Sequence, residues 1–178
     1  MSILKSLKTF TLSLLVGTSL ASGYAMAEEP QAQVKPKVLI FDVNETLLDL
    51  TSMRSSIGKA LGGREDLLPL WVSTMLHHSL VDTVSGNYHD FGQIGVASLR
   101  MVAKNNNIAI TNEQAKTAIV TPLLTLPPHK DVKEGLAKLK AQGYKLVSLT
   151  NSSNKGVKAQ FESAGLMSFF DARYSIED

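Results

Sequence analysis

The chain has 178 residues, of which 44% are hydrophobic and 19% are charged, a composition typical of one globular domain with a sizeable core. It contains no cysteine, which excludes a disulfide scaffold, a thiol nucleophile and a cysteine-ligated zinc site. The 18 basic and 16 acidic side chains give a formal charge of +2. So small an excess does not suit a basic nucleic-acid-binding protein, and no nucleic-acid partner is expected.

The first thirty residues have the parts of an export signal. Two early lysines form a short positive region, and residues 10–21 are apolar or small. Ala25-Met26-Ala27 then gives the small-x-small pattern that a signal peptidase cleaves. The apolar run is shorter than the ~20 residues that a membrane-spanning helix needs. We therefore predict cleavage after Ala27, a periplasmic location, and no membrane association of the mature protein.

The first apolar run after this leader predicts a buried strand. Residues 38–41, Val-Leu-Ile-Phe, are continuously apolar, the pattern of a parallel strand buried on both faces. A second buried strand is predicted over residues 145–149, Lys-Leu-Val-Ser-Leu, and a third, shorter strand over residues 170–175. Helical spacing precedes and follows the second strand, which predicts right-handed crossovers and a parallel sheet.

Between the first and second strands the pattern is helical. Four helical segments are predicted, at residues 52–61, 68–84, 91–104 and 112–119. Such a block, inserted directly after the first strand, would form a cap over an active site. The predicted organisation is a signal peptide (1–27), a flexible leader (28–36), an α/β core (37–51 and 122–178) and a helical cap (52–121).

The ends of the first two strands carry the side chains of chemical interest. Asp42 follows the first strand directly, and Thr150 and Asn151 follow the second. Ligands of open α/β sheets bind beyond the carboxyl ends of the strands. A carboxylate placed there either caps a turn or acts as a nucleophile that forms a covalent ester. The neighbouring hydroxyl and amide, with the N-terminus of a helix predicted near Asn154, favour an anionic substrate.

Residues 41–49, Phe-Asp-Val-Asn-Glu-Thr-Leu-Leu-Asp, resemble the first motif of the haloacid dehalogenase (HAD) superfamily. Residues 149–152, Leu-Thr-Asn-Ser, resemble its second motif. The branch that is most similar is the type II 2-haloacid dehalogenases, and the resemblance covers residues 37–178. It implies an α/β fold with a Rossmann-like parallel sheet of the HAD type and an inserted all-helical cap.

The resemblance also implies a mechanism. Asp42 would be the catalytic nucleophile, displacing halide from a small 2-halocarboxylic acid and forming an ester that water hydrolyses. Thr150 and the backbone N–H of Asn151 would hold the substrate carboxylate, and Asn44 is counted with them as a substrate-binding residue. Phosphatase branches carry a proton-donating aspartate where Asn44 stands. Because halide needs no proton, this amide favours dehalogenation, for which no metal or other cofactor is expected.

Two departures from the family pattern affect this interpretation. Type II dehalogenases carry a halide-binding arginine where this chain has Val72, so Arg54 or Arg100 is a candidate replacement. The lysine of the third motif and the acidic fourth motif do not appear before Asp178, so the C-terminal part of the core is expected to be missing. The first strand would then be an open edge, which favours self-association or a homodimer.

Two other functions stay open at this point. One is an HAD-type phosphatase acting on a small phosphate ester, which would require Mg²⁺. The other is a truncated, catalytically inactive remnant that acts at most as a binding module.

Overall fold

The computed structural model describes residues 35–178. The predicted signal peptide and nearly all of the predicted leader therefore lie outside the described residues. The described part contains a three-stranded parallel sheet in the order β1-β2-β3. The strands are β1 (Val38–Phe41), β2 (Lys145–Thr150) and β3 (Ala172–Ser175).

Residues 35–178 contain six α-helices, of which four lie between β1 and β2 as an inserted block and a fifth follows them before β2. The helices are α1 (Arg54–Ala60), α2 (Leu68–Val84), α3 (Phe91–Asn105), α4 (Asn112–Leu124), α5 (Val132–Ala141) and α6 (Asn154–Ala164). This order confirms the predicted α/β class with helices inserted after the first strand. Within residues 35–178, no helix is both long enough and apolar enough to cross a membrane.

Local signals in the sequence explain where several helices begin and end. Asp90 caps α3 by accepting a hydrogen bond from the backbone N–H of Gly92. Thr111 and Gln114 form a reciprocal capping box at the start of α4. Ser153 caps α6, which ends at Gly165 with a left-handed φ of 66°.

Helix α4 is longer than its sequence pattern predicts. Its predicted end was residue 119, whereas the helix continues through Pro122 to Leu124. A proline lacks an N–H and so leaves the carbonyl four residues earlier, here that of Ala118, without a helical partner. The Ser56 hydroxyl donates to this carbonyl at 3.0 Å. A tertiary hydrogen bond therefore replaces the one that the proline removes.

The sheet is covered on one face by the described residues. Leu146 of β2 is fully buried on that face, against which α5 and α6 pack. The opposite face exposes apolar side chains from all three strands, with Ile40 65%, Leu149 52% and Tyr174 50% exposed. The prediction that the first strand is buried on both faces is therefore wrong for the described part of the chain, because no described element covers this second face.

Candidate active site

The strand pairing brings the two predicted motifs to one edge of the sheet. Phe41 of β1 pairs in parallel with Ser148 of β2, so the residues that follow each strand emerge side by side. Asp42 is exposed there, and its carboxylate accepts a hydrogen bond from the Thr46 hydroxyl at 3.1 Å. Because one hydrogen bond orients the carboxylate without enclosing it, an oxygen of Asp42 stays accessible to a substrate.

Thr150 ends β2 at the same edge of the sheet. Only 4% of Thr150 is exposed, and its hydroxyl oxygen accepts a hydrogen bond from the backbone N–H of Ser152 at 3.2 Å. Asn151, the next residue, is exposed. The predicted substrate-binding roles of Thr150 and Asn151 stay predictions, but both residues lie at the edge that also carries Asp42.

Asn44 connects the two loops that carry the motifs. Its amide nitrogen donates to the Ser152 hydroxyl at 3.2 Å. Its amide oxygen accepts from the side-chain amide of Gln160 at 3.0 Å. Both ends of the Asn44 side chain are thus engaged with the core, and its role in substrate binding stays a prediction. Sequence reasoning missed Gln160, because a polar side chain on the buried face of a helix has no local signature.

The loop after Asp42 is a tight turn held by its own backbone. The N–H groups of Leu47 and Leu48 donate to the Val43 carbonyl at 2.8 and 3.0 Å. Glu45 adopts a left-handed conformation with a φ of 64°. Its carboxylate accepts from the Leu50 N–H at 2.8 Å. The loop that positions Asp42 therefore contains a conformation that is unfavourable for a side-chain-bearing residue.

A cavity of about 830 Å³ opens beside the second loop, between α3, α4 and α6. Its lining is largely apolar and includes Ser152, Gln160 and the guanidinium-bearing Arg100, but not Asp42. Of the two arginines considered for the leaving halide, Arg100 thus borders the cavity. Arg54 instead donates to the Glu65 carbonyl at 3.3 Å.

The N-terminus of α6 is occupied by a carboxylate of the chain itself. Glu177 accepts from the Asn154 N–H at 2.6 Å and from the Tyr88 hydroxyl at 2.8 Å. Partial burial and this hydrogen bond raise the pKa of Tyr88 to about 12. Because Tyr88 precedes α3 and Glu177 follows β3, this contact ties the inserted helices to the sheet. Among residues 35–178, no group of three or more His, Asp or Glu side chains is arranged to hold a metal ion.

Comparisons with known proteins agree with the architecture. The (S)-2-haloacid dehalogenase of Pseudomonas sp. (strain YL) is 27% identical over 142 residues, which are 79% of this chain and 61% of that protein. The structure of L-2-haloacid dehalogenase from Xanthobacter autotrophicus superposes with a TM-score of 0.71 at 26% identity, covering 80% of this chain and 58% of that one. That enzyme has also been solved with chloropropionic acid covalently bound.

The chain spans about 60% of the length of these relatives. Over the part that it does span, the match to the family is continuous. The model of the haloacid dehalogenase-like hydrolases covers residues 36–178, which include both strand-end motifs and all of the inserted helices. Because this match takes in almost every described residue, the chain belongs to the haloacid dehalogenase-like hydrolases.

Proposed function

We propose that this protein is a 2-haloacid dehalogenase that hydrolyses the carbon–halogen bond of a small 2-halocarboxylic acid. The observation that carries the proposal is the exposed Asp42 carboxylate, oriented by Thr46 at the same sheet edge as Thr150 and Asn151. A carboxylate of this kind is a nucleophile for a carbon that bears a good leaving group. The covalent chloropropionic acid complex of the Xanthobacter relative supports a covalent route.

The reaction divides into two balanced steps. A carboxylate oxygen of Asp42 attacks the substrate carbon opposite the halogen, so that the new C–O bond forms as the C–halogen bond breaks. The electron pair of the broken bond leaves with the halide, and the configuration at carbon inverts. Water then adds to the Asp42 carboxyl carbon and displaces the 2-hydroxy acid. One proton is released, and the free carboxylate is restored.

The residues around Asp42 fit the needs of the first step. Halide requires no general acid, and Asn44 offers none because a carboxamide does not give up a proton in the working pH range. Its nitrogen and oxygen are instead engaged with Ser152 and Gln160. The buried Thr150 hydroxyl and the Asn151 N–H supply donors for the substrate carboxylate. Holding that carboxylate beside Asp42 would place the reacting carbon for in-line attack, which is where orientation contributes most to rate.

The test compares the wild-type chain with Asp42→Asn, using (S)-2-chloropropionate and measuring both chloride release and the intact protein mass. The wild-type protein is expected to release chloride and to show an ester adduct. The variant should lose both, with chloride release lowered at least about a thousandfold. Asp66→Asn, which removes a carboxylate from a surface pair with Arg64, is the matched control and should behave as wild type.

Each other outcome points to a different function. Undiminished chloride release by Asp42→Asn would contradict the nucleophilic role. Phosphate release from an aryl phosphate, dependent on added Mg²⁺ and lost in the variant, would identify a phosphatase instead. If wild-type protein forms neither product, the binding-module hypothesis replaces both enzyme hypotheses.

We also propose that the protein is exported to the periplasm. The support is the sequence pattern of residues 1–27, with its early lysines, apolar run and Ala-Met-Ala site. The intact mass of the protein isolated from its own cells is expected to correspond to a chain that begins at Glu28. A mass that retains Met1 would contradict export by cleavage.

A further inference from the structure

Two carbonyls near the end of α4 have no helical donor, for different reasons. Pro122 removes the partner of the Ala118 carbonyl, whereas the Leu123 carbonyl lies in the last turn of the helix, where no helical N–H follows. Each carbonyl instead accepts from a side chain elsewhere in the fold. Ser56 donates to the Ala118 carbonyl, and the Gln160 amide donates to the Leu123 carbonyl, both at 3.0 Å.

Unlike Ser56, Gln160 also forms a hydrogen bond with a residue of the candidate active site. Only 1% of Gln160 is exposed, and its amide nitrogen also donates to the Asn44 side chain at 3.0 Å. Asn44 lies two residues after Asp42 and in turn donates to Ser152, two residues after Thr150. One buried amide thus links the end of α4 to both loops of the candidate active site.

The free-energy cost of breaking either Gln160 hydrogen bond makes the connection between α4 and Asn44 rigid. A buried amide loses its hydrogen bonds to water, so breaking either bond without a replacement costs the desolvation of the freed group. The two hydrogen atoms of the Gln160 amide are both used, and the amide is planar, which fixes the direction from the Leu123 carbonyl to Asn44. A shift of α4 would therefore move Asn44 or break one of these bonds.

We propose that Gln160 is a positioning residue, which holds the Asp42 loop against the Thr150 loop and keeps both in register with α4. Its effect runs through Asn44 rather than through a contact with the substrate. Its effect on catalysis rests on the proposed dehalogenase function, whereas its effect on the loop does not.

The first test measures amide hydrogen exchange in the wild-type chain, in Gln160→Leu and in Ser56→Ala. The informative amides are those of Leu47 and Leu48, which close the turn after Asp42. In Gln160→Leu their exchange is expected to accelerate about tenfold relative to the amides of β2. Ser56→Ala removes the hydrogen bond to the other carbonyl, that of Ala118, and should leave the loop amides unchanged. Equal acceleration in the two variants, uniform acceleration throughout Gln160→Leu, or none in its loop would overturn the proposal.

The second test measures turnover of (S)-2-chloropropionate. A loosened nucleophile loop should lower kcat about tenfold while KM changes less than twofold, because orientation of Asp42 is lost but not the groups that bind the carboxylate. A rise in KM at constant kcat would contradict positioning. If the wild-type chain releases no chloride, the proposed function fails, and the exchange measurement alone decides the role of Gln160.

Discussion

The Asp42 loop contains a backbone conformation that most side chains avoid. Glu45 lies in the left-handed region with a φ of 64°, two residues before Leu47 closes the turn onto Val43. Its own carboxylate offsets part of the cost by accepting from the Leu50 N–H. Strain of this kind persists only where surrounding contacts fix the backbone, and such residues cluster at functional sites.

Replacing Glu45 by glycine and by alanine separates the cost of the left-handed backbone from the contribution of the hydrogen bond to Leu50. Both variants lose the bond to Leu50, but only glycine relieves the left-handed strain. We expect Glu45→Gly to be more stable than Glu45→Ala by about 1 kcal/mol in urea unfolding. At Lys138 in the middle of α5 the order should reverse, with alanine more stable than glycine by about 1 kcal/mol. Equal stability of the two Glu45 variants would show that the left-handed conformation is not maintained.

At the scale of elements, Asp171 connects β3 to its neighbours. Its carboxylate accepts from the Leu146 N–H at 2.8 Å and from Lys140 at 3.1 Å, and its own N–H donates to the Leu146 carbonyl. The strand was predicted from residue 170, but it begins at Ala172. Phe170 instead turns inward, and the centroid of its ring lies 4.8 Å from the centroid of the Phe161 ring. Ring packing and the carboxylate bridge together set where β3 starts.

The Asp171 bridge makes a prediction about acid stability. The pKa of Asp171 is lowered below its usual value of 3.8. The hydrogen bond from the Leu146 N–H is the larger cause, and the hydrogen bond from Lys140 is the next. A lowered pKa in the folded state means that the unfolded chain binds the proton more readily, so this contribution is present above about pH 4 and is lost as the pH falls further. Asp171→Asn should therefore be less stable than wild type at pH 7, and the difference should shrink as the pH falls below about 4.

Urea unfolding at a series of pH values measures this effect. Lys140→Gln should keep most of the pH dependence, because the backbone N–H of Leu146 is the larger cause of the lowered pKa. A difference between wild type and Asp171→Asn that does not change with pH would contradict the prediction.

At the scale of the whole molecule, the described sheet has an apolar face without a covering layer. Strand β1 pairs only with β2 among the described strands, so its outer edge also presents unpaired backbone groups. Exposed apolar strands at a sheet edge favour pairing with another chain. The homodimer predicted from the sequence would form along this strand.

Sedimentation of the 178-residue chain is therefore expected to show association that increases with concentration. Ile40→Lys should shift the chain towards monomer, since a lysine on an edge strand opposes pairing. Val84→Lys is the matched control, because Val84 is 83% exposed at the end of α2 and the change in charge is the same. A monomeric wild-type chain, or an equal effect of the two substitutions, would contradict association through β1.

The sequence alone determined the class of fold and the position of the candidate site. A continuous apolar run that stops at Asp42 defines a strand and its end, and the largely apolar segment that leads into Thr150 does the same. Parallel pairing then places both ends at one edge. Helix starts were equally predictable where a local cap exists, as at Ser153. The strand ends and helix starts follow from interactions between residues close together in the chain, whereas the pairing of β1 with β2 joins segments that are far apart in it.

Only the tertiary structure decided what holds that site together. Gln160 and Asn44 are 116 residues apart, and Ser56 and Ala118 are 62 residues apart, so no local pattern pairs them. For the same reason the sequence predicted that α4 ends at residue 119, before Pro122, and that β1 is buried on both faces. A continuous apolar run indicates that a strand is more stable when it is buried. Whether a layer covers each face depends on elements far away in the chain.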